Sequence, residues 1–225
     1  MAAMSDDEVQ RDYWNRELPA FDAIYSHKKG AISNLLDSMF RKDMYQRHAE
    51  TIAACAPVAG RSFLDVGCGT GLYALELAQC DARHVVGVDV SDRMVETCNA
   101  RAKQLGVSNT AFVRGVIGDL PTDEKFDVSF AIGLFDYLED AVPTLRAMRE
   151  RTTGTVIATF PRIMTWRAPL RKFRLTLRGC PVYFYSAGAV RSALTSAGLT
   201  PRRLLRLGKL FFVVAEAAPI NETGK

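Results

Sequence analysis

A chain of 225 residues with 48% hydrophobic and 24% charged residues fits one globular domain, or one domain with a small cap, around a full hydrophobic core. No run approaches the ~18 apolar residues that a membrane span requires, and the first thirty residues, with Asp6, Asp7, Glu8 and Glu17, support neither a secretory signal nor a transit peptide, so the cytoplasm is the expected location. The net charge of +4 is local: residues 162–178 carry Arg162, Arg167, Arg171, Lys172, Arg174 and Arg178 with no acid, and the remainder nets −2.

In chain order, residues 7–55 read as two or three amphipathic helices whose apolar stripe includes Phe21, Ile24, Tyr25, Ile32, Leu35, Leu36, Met39, Phe40 and Met44. Tyr25 is either a core aromatic of that stripe or a side chain that closes over a ligand. From Ser62 onward short apolar runs alternate with helical patterns. Strands are expected at 62–66, 84–89, 111–115, 126–133 and 154–160, several too uniformly apolar to have a solvent face, as buried parallel strands are. Helices are expected at 70–80, at 92–105 with Met94, Val95, Cys98, Ala102 and Leu105 inward, and from near Asp140 with Val142, Leu145 and Met148 inward. Ser91 is positioned as an N-cap and Gly106 as the residue that ends the second of these helices. After a basic stretch with prolines, 186–199 resumes a helix between Ser186 and Gly198, and "RRLLRLG" with "LFFVVAEA" forms a closing hairpin. This βαβ alternation predicts a doubly wound α/β sheet. The expected organisation is a helical cap over 1–55, an α/β domain over 56–219 with a basic lid insertion at about 161–182, and a frayed tail over 220–225.

The stretch "FLDVGCGTG", 63–71, places Gly67, Gly69 and Gly71 in the turn after the first strand, the usual ligand cradle of such sheets. A phosphate-gripping loop needs Gly-Lys-Ser/Thr where Thr70, Gly71 and Leu72 stand, and the dinucleotide fingerprint needs a glycine at Leu72. Asp65, two residues before the first glycine, disfavours a pyrophosphate and suits a ligand with a cationic end. Asp89 closes the second strand 22 residues after Gly67, the spacing at which a carboxylate reaches ribose hydroxyls. A positively charged nucleoside, S-adenosylmethionine, meets these conditions together.

"LDVGCGTG" and "VVGVDVS" resemble the first two motifs of the class I S-adenosylmethionine-dependent methyltransferases, and "FDVSFAIGLFDYLED" and "FYSAGAVRSALTSAGL" are similar to later segments of that family. The resemblance implies a seven-stranded, mostly parallel sheet of order 3-2-1-4-5-7-6 with helices on both faces. It also implies that Gly67, Cys68 and Gly69 flank the methionine moiety, that Asp65 orients its amino group, that Asp89 binds the ribose, and that Val90 and Met94 lie beside the adenine. Many members place an acid directly behind the glycine that follows the third strand. Here Val116 stands behind Gly115, so Val116 and Ile117 are expected to meet the ring through their backbone, and Asp119 either replaces the acid or forms the turn before Pro121.

Methyl transfer is an in-line displacement in which holding the acceptor's lone pair behind the methyl group does most of the catalysis. Ile132 and Gly133, at the tip of the fourth strand, are expected to line the cofactor, and Asp136 and Tyr137, just beyond, are the candidate catalytic groups, with capping and packing as their other reading. "GLFDYLED" lacks the Asp/Asn-Pro-Pro-Tyr/Phe motif common among methyltransferases of nucleic-acid bases, and no RNA-binding module is evident, so the expected acceptor is a small molecule, hydrophobic with an acidic group. Arg167, Arg171, Arg174 and Arg178 recur at helical spacing beside Trp166, Leu170, Phe173 and Leu177. They form a solvated lid face, a lid attracting an acidic substrate, or a loose contact with an anionic membrane or RNA surface. The lid and its flanks are faintly similar to the magnesium-protoporphyrin methyltransferases. An RNA-modifying methyltransferase and a non-catalytic cofactor-binding domain are the alternatives. The odd count of five cysteines without a C-x-x-C pair, and three dispersed histidines, leave no expected metal site or disulfide framework.

Overall fold

The computed structural model describes residues 10–16, 34–121, 123–163 and 182–217, with side chains of the second helix described from Met44. Residues 10–16 form helix α1, followed by α2 (Asn34–Cys55), β1 (Ser62–Val66), α3 (Leu72–Gln79), β2 (His84–Asp89), α4 (Asp92–Leu105), β3 (Thr110–Arg114), a 3-10 turn over Ile117–Asp119, β4 (Phe126–Ala131), α5 (Val142–Arg151), β5 (Thr152–Pro161), α6 (Ala187–Ser196), β6 (Leu199–Leu207) and β7 (Leu210–Ala217). Among the described residues no helix is long and apolar enough to cross a membrane.

The strands form one sheet of order β3-β2-β1-β4-β5-β7-β6. β7 runs antiparallel to both β5 and β6, and the remaining pairs are parallel. This is the expected order. The direction of winding reverses between β1 and β4, which leaves a crevice at the carboxyl ends of those strands. Asp65 pairs in register with Gly87 on one side and Phe130 on the other, so it stands at the crevice floor.

Two apolar layers hold helices against the sheet. Leu64, Val66, Val86 and Val88 face one core with Leu145, Met148, Val190 and Leu194 of α5 and α6. Phe63, Val85, Val128, Phe130 and Phe212 face the other with Cys55, Tyr73, Ala74 and Leu77 of α2 and α3. Alternation along β1 therefore puts Asp65 on the α2/α3 face, two residues after Phe63. Full burial of each large apolar side chain contributes about 1.5–3 kcal/mol, which is why both faces of β1 are apolar apart from Ser62 at its start and that one acid.

Caps fix the helix ends as expected. Ser91 Oγ accepts the Met94 amide and Ser186 Oγ accepts the Ala189 amide; Gly106 and Gly198 follow their helices at positive φ. Differences arise at edges. Leu105 is 46% exposed, because the apolar stripe of α4 has run past the sheet by its last turn. α5 begins at Val142, whose amide is capped by Asp140 Oδ1 at 2.9 Å, and Ala141 is more deeply buried than Val142. β5 extends two residues before Gly154 and one past Phe160, and β4 ends at Ala131 rather than Gly133. Tyr25, the lid arginines Arg167, Arg171, Arg174 and Arg178, and the tail beyond Ala217 lie outside the described residues.

Candidate active site

β1 ends in a turn whose backbone requires glycine. Gly67, Gly69 and Gly71 have φ of 73°, 54° and 78°, and a Cβ on Gly67 would stand 3.1 Å from Leu134 Cδ1 in the segment after β4. The turn is tied to its neighbours. The Gly67 and Cys68 amides donate to Val88 O at 2.8 and 3.1 Å, the Gly69 amide donates to Asp89 Oδ2 at 2.8 Å, and Cys98 Sγ lies 3.1 Å from Gly69 O. Thus three of the residues expected around the methionine moiety, Gly67, Cys68 and Gly69, are positioned by the carboxyl end of β2.

Asp65 is 2% exposed, and its Oδ2 is buried with no hydrogen-bond donor. Its other interactions include the Ala74 backbone amide of α3. Burial first, and then the nearby charge of Asp89, push its carboxyl well above the ordinary aspartate range. A buried carboxylate with an orphaned oxygen beside a second carboxylate calls for a cation and repels phosphate. The ammonium and sulfonium of S-adenosylmethionine fit that demand, whereas a diphosphate does not.

Asp89 spends both oxygens on the backbone, Oδ2 on Gly69 and Oδ1 on the Ser91 amide at 3.0 Å, and each oxygen keeps a second lone pair for a hydroxyl. Burial raises its carboxyl, and the two backbone donors oppose that rise. Val90 follows it half-buried, and Met94 is buried one turn into α4. Across the next gap the Gly115 amide donates to Asp89 O, which brings Val116 and buried Ile117 alongside the same strand end. Asp119 turns back to accept the Val116 amide on Oδ2 at 2.9 Å, closing the turn before Pro121.

At the other wall, Ile132 and Gly133 follow β4, and the Gly133 amide donates to Thr159 Oγ1 of β5 at 2.8 Å. Asp136 is 6% exposed, and its backbone carbonyl accepts the Tyr183 amide. Tyr185 donates its hydroxyl to Leu138 O at 2.8 Å, and burial, followed by Asp140 and Asp136, pushes its phenol up to about 12. Tyr137 packs edge-on to Trp14 at 5.0 Å, in a cluster with Tyr13, Val182 and Phe184. The structure therefore gathers the proposed cofactor residues around one crevice, with Asp136 and Tyr137 on its β4 side and an aromatic group above them.

Several residues at this crevice carry no sequence signal. Helix α1 spans it: Gln10 Nε2 donates to Tyr137 O at 2.9 Å beyond β4, while Ser91 Oγ donates to Asn15 Oδ1 at 2.6 Å and Arg93 Nη1 to Asn15 O at 2.7 Å beyond β2. Because β2 and β4 flank β1, a helix fixed at both ends crosses above the glycine turn. Arg47 of α2 reaches Gly133, where a Cβ would lie 3.6 Å from its Nη1. Thr159 alone had a cue, as a hydroxyl inside the apolar run "VIATF".

The family described as "Methyltransferase domain" matches residues 57–174. A tRNA U34 carboxymethyltransferase of Methylococcus capsulatus is 32% identical over 130 residues, which cover 54% of this chain and 40% of that protein. A ubiquinone biosynthesis O-methyltransferase of Methylocella silvestris is 27% identical over 143 residues, 62% of this chain and 54% of that one. The chain thus spans well under two thirds of the length of these curated relatives. The crystal structure of magnesium protoporphyrin IX methyltransferase from Synechocystis, with bound SAH, superposes with a TM-score of 0.77 at 21% identity, covering 94% of this chain and 99% of that one. At that identity the likeness establishes the fold.

Proposed function

The chain belongs to the methyltransferase domain family, and we propose that it transfers the methyl group of S-adenosylmethionine to a small acceptor that is hydrophobic and carries an acidic group. The observation that carries the cofactor is Asp65, a buried carboxyl with an orphaned oxygen under a glycine turn. The observation that favours a small, apolar acceptor is the aromatic group of Tyr13, Trp14, Tyr137 and Phe184 beside the β4 wall.

The cofactor supplies an electrophilic methyl on a positive sulfur; the protein's part is binding and alignment. Asp65 accepts the ammonium, Asp89 accepts ribose hydroxyls on its remaining lone pairs, and Val90, Met94, Val116 and Ile117 enclose the base. Gly67, Cys68 and Gly69 let the turn approach the methionine moiety, and Ile132 and Gly133 close the opposite wall. The aromatic group excludes water and orients the acceptor, so that most of the rate comes from positioning. Where the acceptor atom carries a proton, Asp136 takes it, with Tyr137 ordering the acceptor. In this reading Arg167, Arg171 and Arg174, which lie outside the described residues, serve to attract the acidic group.

A second reading has a specific observation in its favour: the first relative reported above is named for action on tRNA. Assay of demethylated cofactor against a panel of aromatic and isoprenoid acids, and against unmodified tRNA at rising salt, separates the two. Turnover of a small acid supports the first reading; turnover of tRNA only, with steeply salt-dependent binding, overturns it.

A further inference from the structure

β4 stops at Ala131 while its neighbour β5 runs on to Pro161. Register pairs Ala131 with Ala158, so β4 ends one position short of a pair with Thr159. The Gly133 amide then donates to the Thr159 hydroxyl at 2.8 Å rather than to the β5 backbone, and the chain turns away at Gly133 with a φ of 84°. Thr159 follows Ile157 by two residues, which puts it on the α2/α3 face, the face that carries Asp65. It is fully buried. The residue after the turn, Leu134, lies where a Cβ on Gly67 would meet it at 3.1 Å, tighter than ordinary van der Waals contact. The far end of the same loop is fastened separately, by the Tyr183 amide on Asp136 O at 2.9 Å and the Tyr185 hydroxyl on Leu138 O at 2.8 Å.

We propose that Thr159 is a positioning residue for the methionine end of the cofactor: its hydroxyl draws the chain out of β4 and sets Leu134 against the glycine turn, which fixes the width of the cradle at Gly67. This role rests on the cofactor assignment above. Thr159 acts through Gly133 and Leu134 and touches no ligand itself. A hydroxyl suits the task because, inside the apolar run of β5, it offers an acceptor that a valine of similar shape lacks. Without it the Gly133 amide loses its partner, and the loop shifts to find another and carries Leu134 with it. The ribose and base are assigned to the β2 side, at Asp89, Val90 and Met94, so they lie beyond the reach of this shift.

Titration calorimetry of the wild type, Thr159→Val and Thr159→Ser tests this, with S-adenosylmethionine and with 5′-methylthioadenosine, which keeps the adenosine and sulfur but lacks the amino acid end. Thr159→Val should weaken S-adenosylmethionine by about 10-fold, within the range for an amide that loses its acceptor. Its affinity for 5′-methylthioadenosine should stay within about twofold of the wild type, as for a site that shares no contact with the change. Thr159→Ser, which keeps the hydroxyl, should restore S-adenosylmethionine to within about twofold. Should Thr159→Val fail to fold, Thr159→Ala against Thr159→Ser makes the same comparison, since these two differ only by the hydroxyl oxygen. Equal losses for both nucleosides, a hydroxyl-free variant that binds S-adenosylmethionine like the wild type, or a Thr159→Ser as weak as the hydroxyl-free variant overturns the role. A wild type that binds neither nucleoside overturns the cofactor assignment itself and this role with it.

Discussion

The Gly69 amide donates to Asp89 Oδ2 at 2.8 Å, so the acid that closes β2 also braces the glycine turn after β1. One side chain thereby couples the ribose position to the shape of the methionine cradle. Replacing it with Ala removes the acceptor of two backbone amides, those of Gly69 and Ser91. Asp89→Ala should lower unfolding free energy by about 1–3 kcal/mol and nucleoside affinity by about 100-fold, since a charged acceptor is lost twice over. Denaturant titration and calorimetry on the same preparations measure both; unchanged affinity would remove Asp89 from the ribose site.

Asp65 should give the protein a characteristic pH response. Burial and then the Asp89 charge raise its carboxyl, so the folded chain holds this proton more tightly than the unfolded chain does. The stability it contributes is full below the ordinary aspartate value and is lost as pH rises through the raised one. Asp65→Asn should therefore raise the melting temperature of the cofactor-free protein at alkaline pH more than at acid pH, with the difference growing as pH rises above the ordinary aspartate range. Cofactor affinity of the wild type should climb over the same window, as the carboxyl ionises to receive the ammonium. A pH-independent difference between the two proteins would sink the assignment.

Helix α1 is held at one end by Asn15 and at the other by Gln10, and it crosses the cofactor crevice. Asn15→Ala removes its side-chain bond with Ser91 and weakens the β2-side tether, which keeps only the Arg93 guanidinium on the carbonyl of residue 15. The dissociation rate of the demethylated cofactor should rise by about 5- to 10-fold, equivalent to one hydrogen bond of roughly 1 kcal/mol. Stopped-flow displacement reads this directly, with Trp14 as reporter; an unchanged rate would mean that α1 does not gate exchange.

Gly67→Ala should be costly for two reasons that act together. Its φ of 73° is unfavourable for any residue with a Cβ, and that Cβ would stand 3.1 Å from Leu134. The backbone term alone costs about 1–2 kcal/mol. Denaturant midpoints should fall accordingly, with cofactor affinity reduced further because the turn shares its wall with Leu134. A variant of native stability and affinity would show that the turn tolerates a side chain.

The elements were readable from local rules because those rules act over a few residues. Ser91 and Gly106 bracket α4 through a cap and a left-handed stop, and "SFLDV" carries Phe63, Leu64 and Val66 on both faces because β1 is covered on both. The acid interrupting that run, Asp65, was legible as a site residue for the same reason: nothing structural asks for a carboxylate there. Asp119 was not decidable, since an acid before Leu-Pro serves a turn or a ligand equally well, and only the fold shows its Oδ2 on the Val116 amide.

By itself the sequence determined the strands, the caps and the charged glycine turn, since hydrophobic period, capping chemistry and positive φ are encoded within one or two turns of chain. Tertiary structure decided which distant groups share the crevice. Asn15 meets Ser91, and Arg47 reaches Gly133, across 76 and 86 residues of chain. Neither partner is marked by its neighbours in sequence. Each is brought into place by which face of the sheet its helix covers, and that is settled by the burial of the core as a whole rather than by any local pattern.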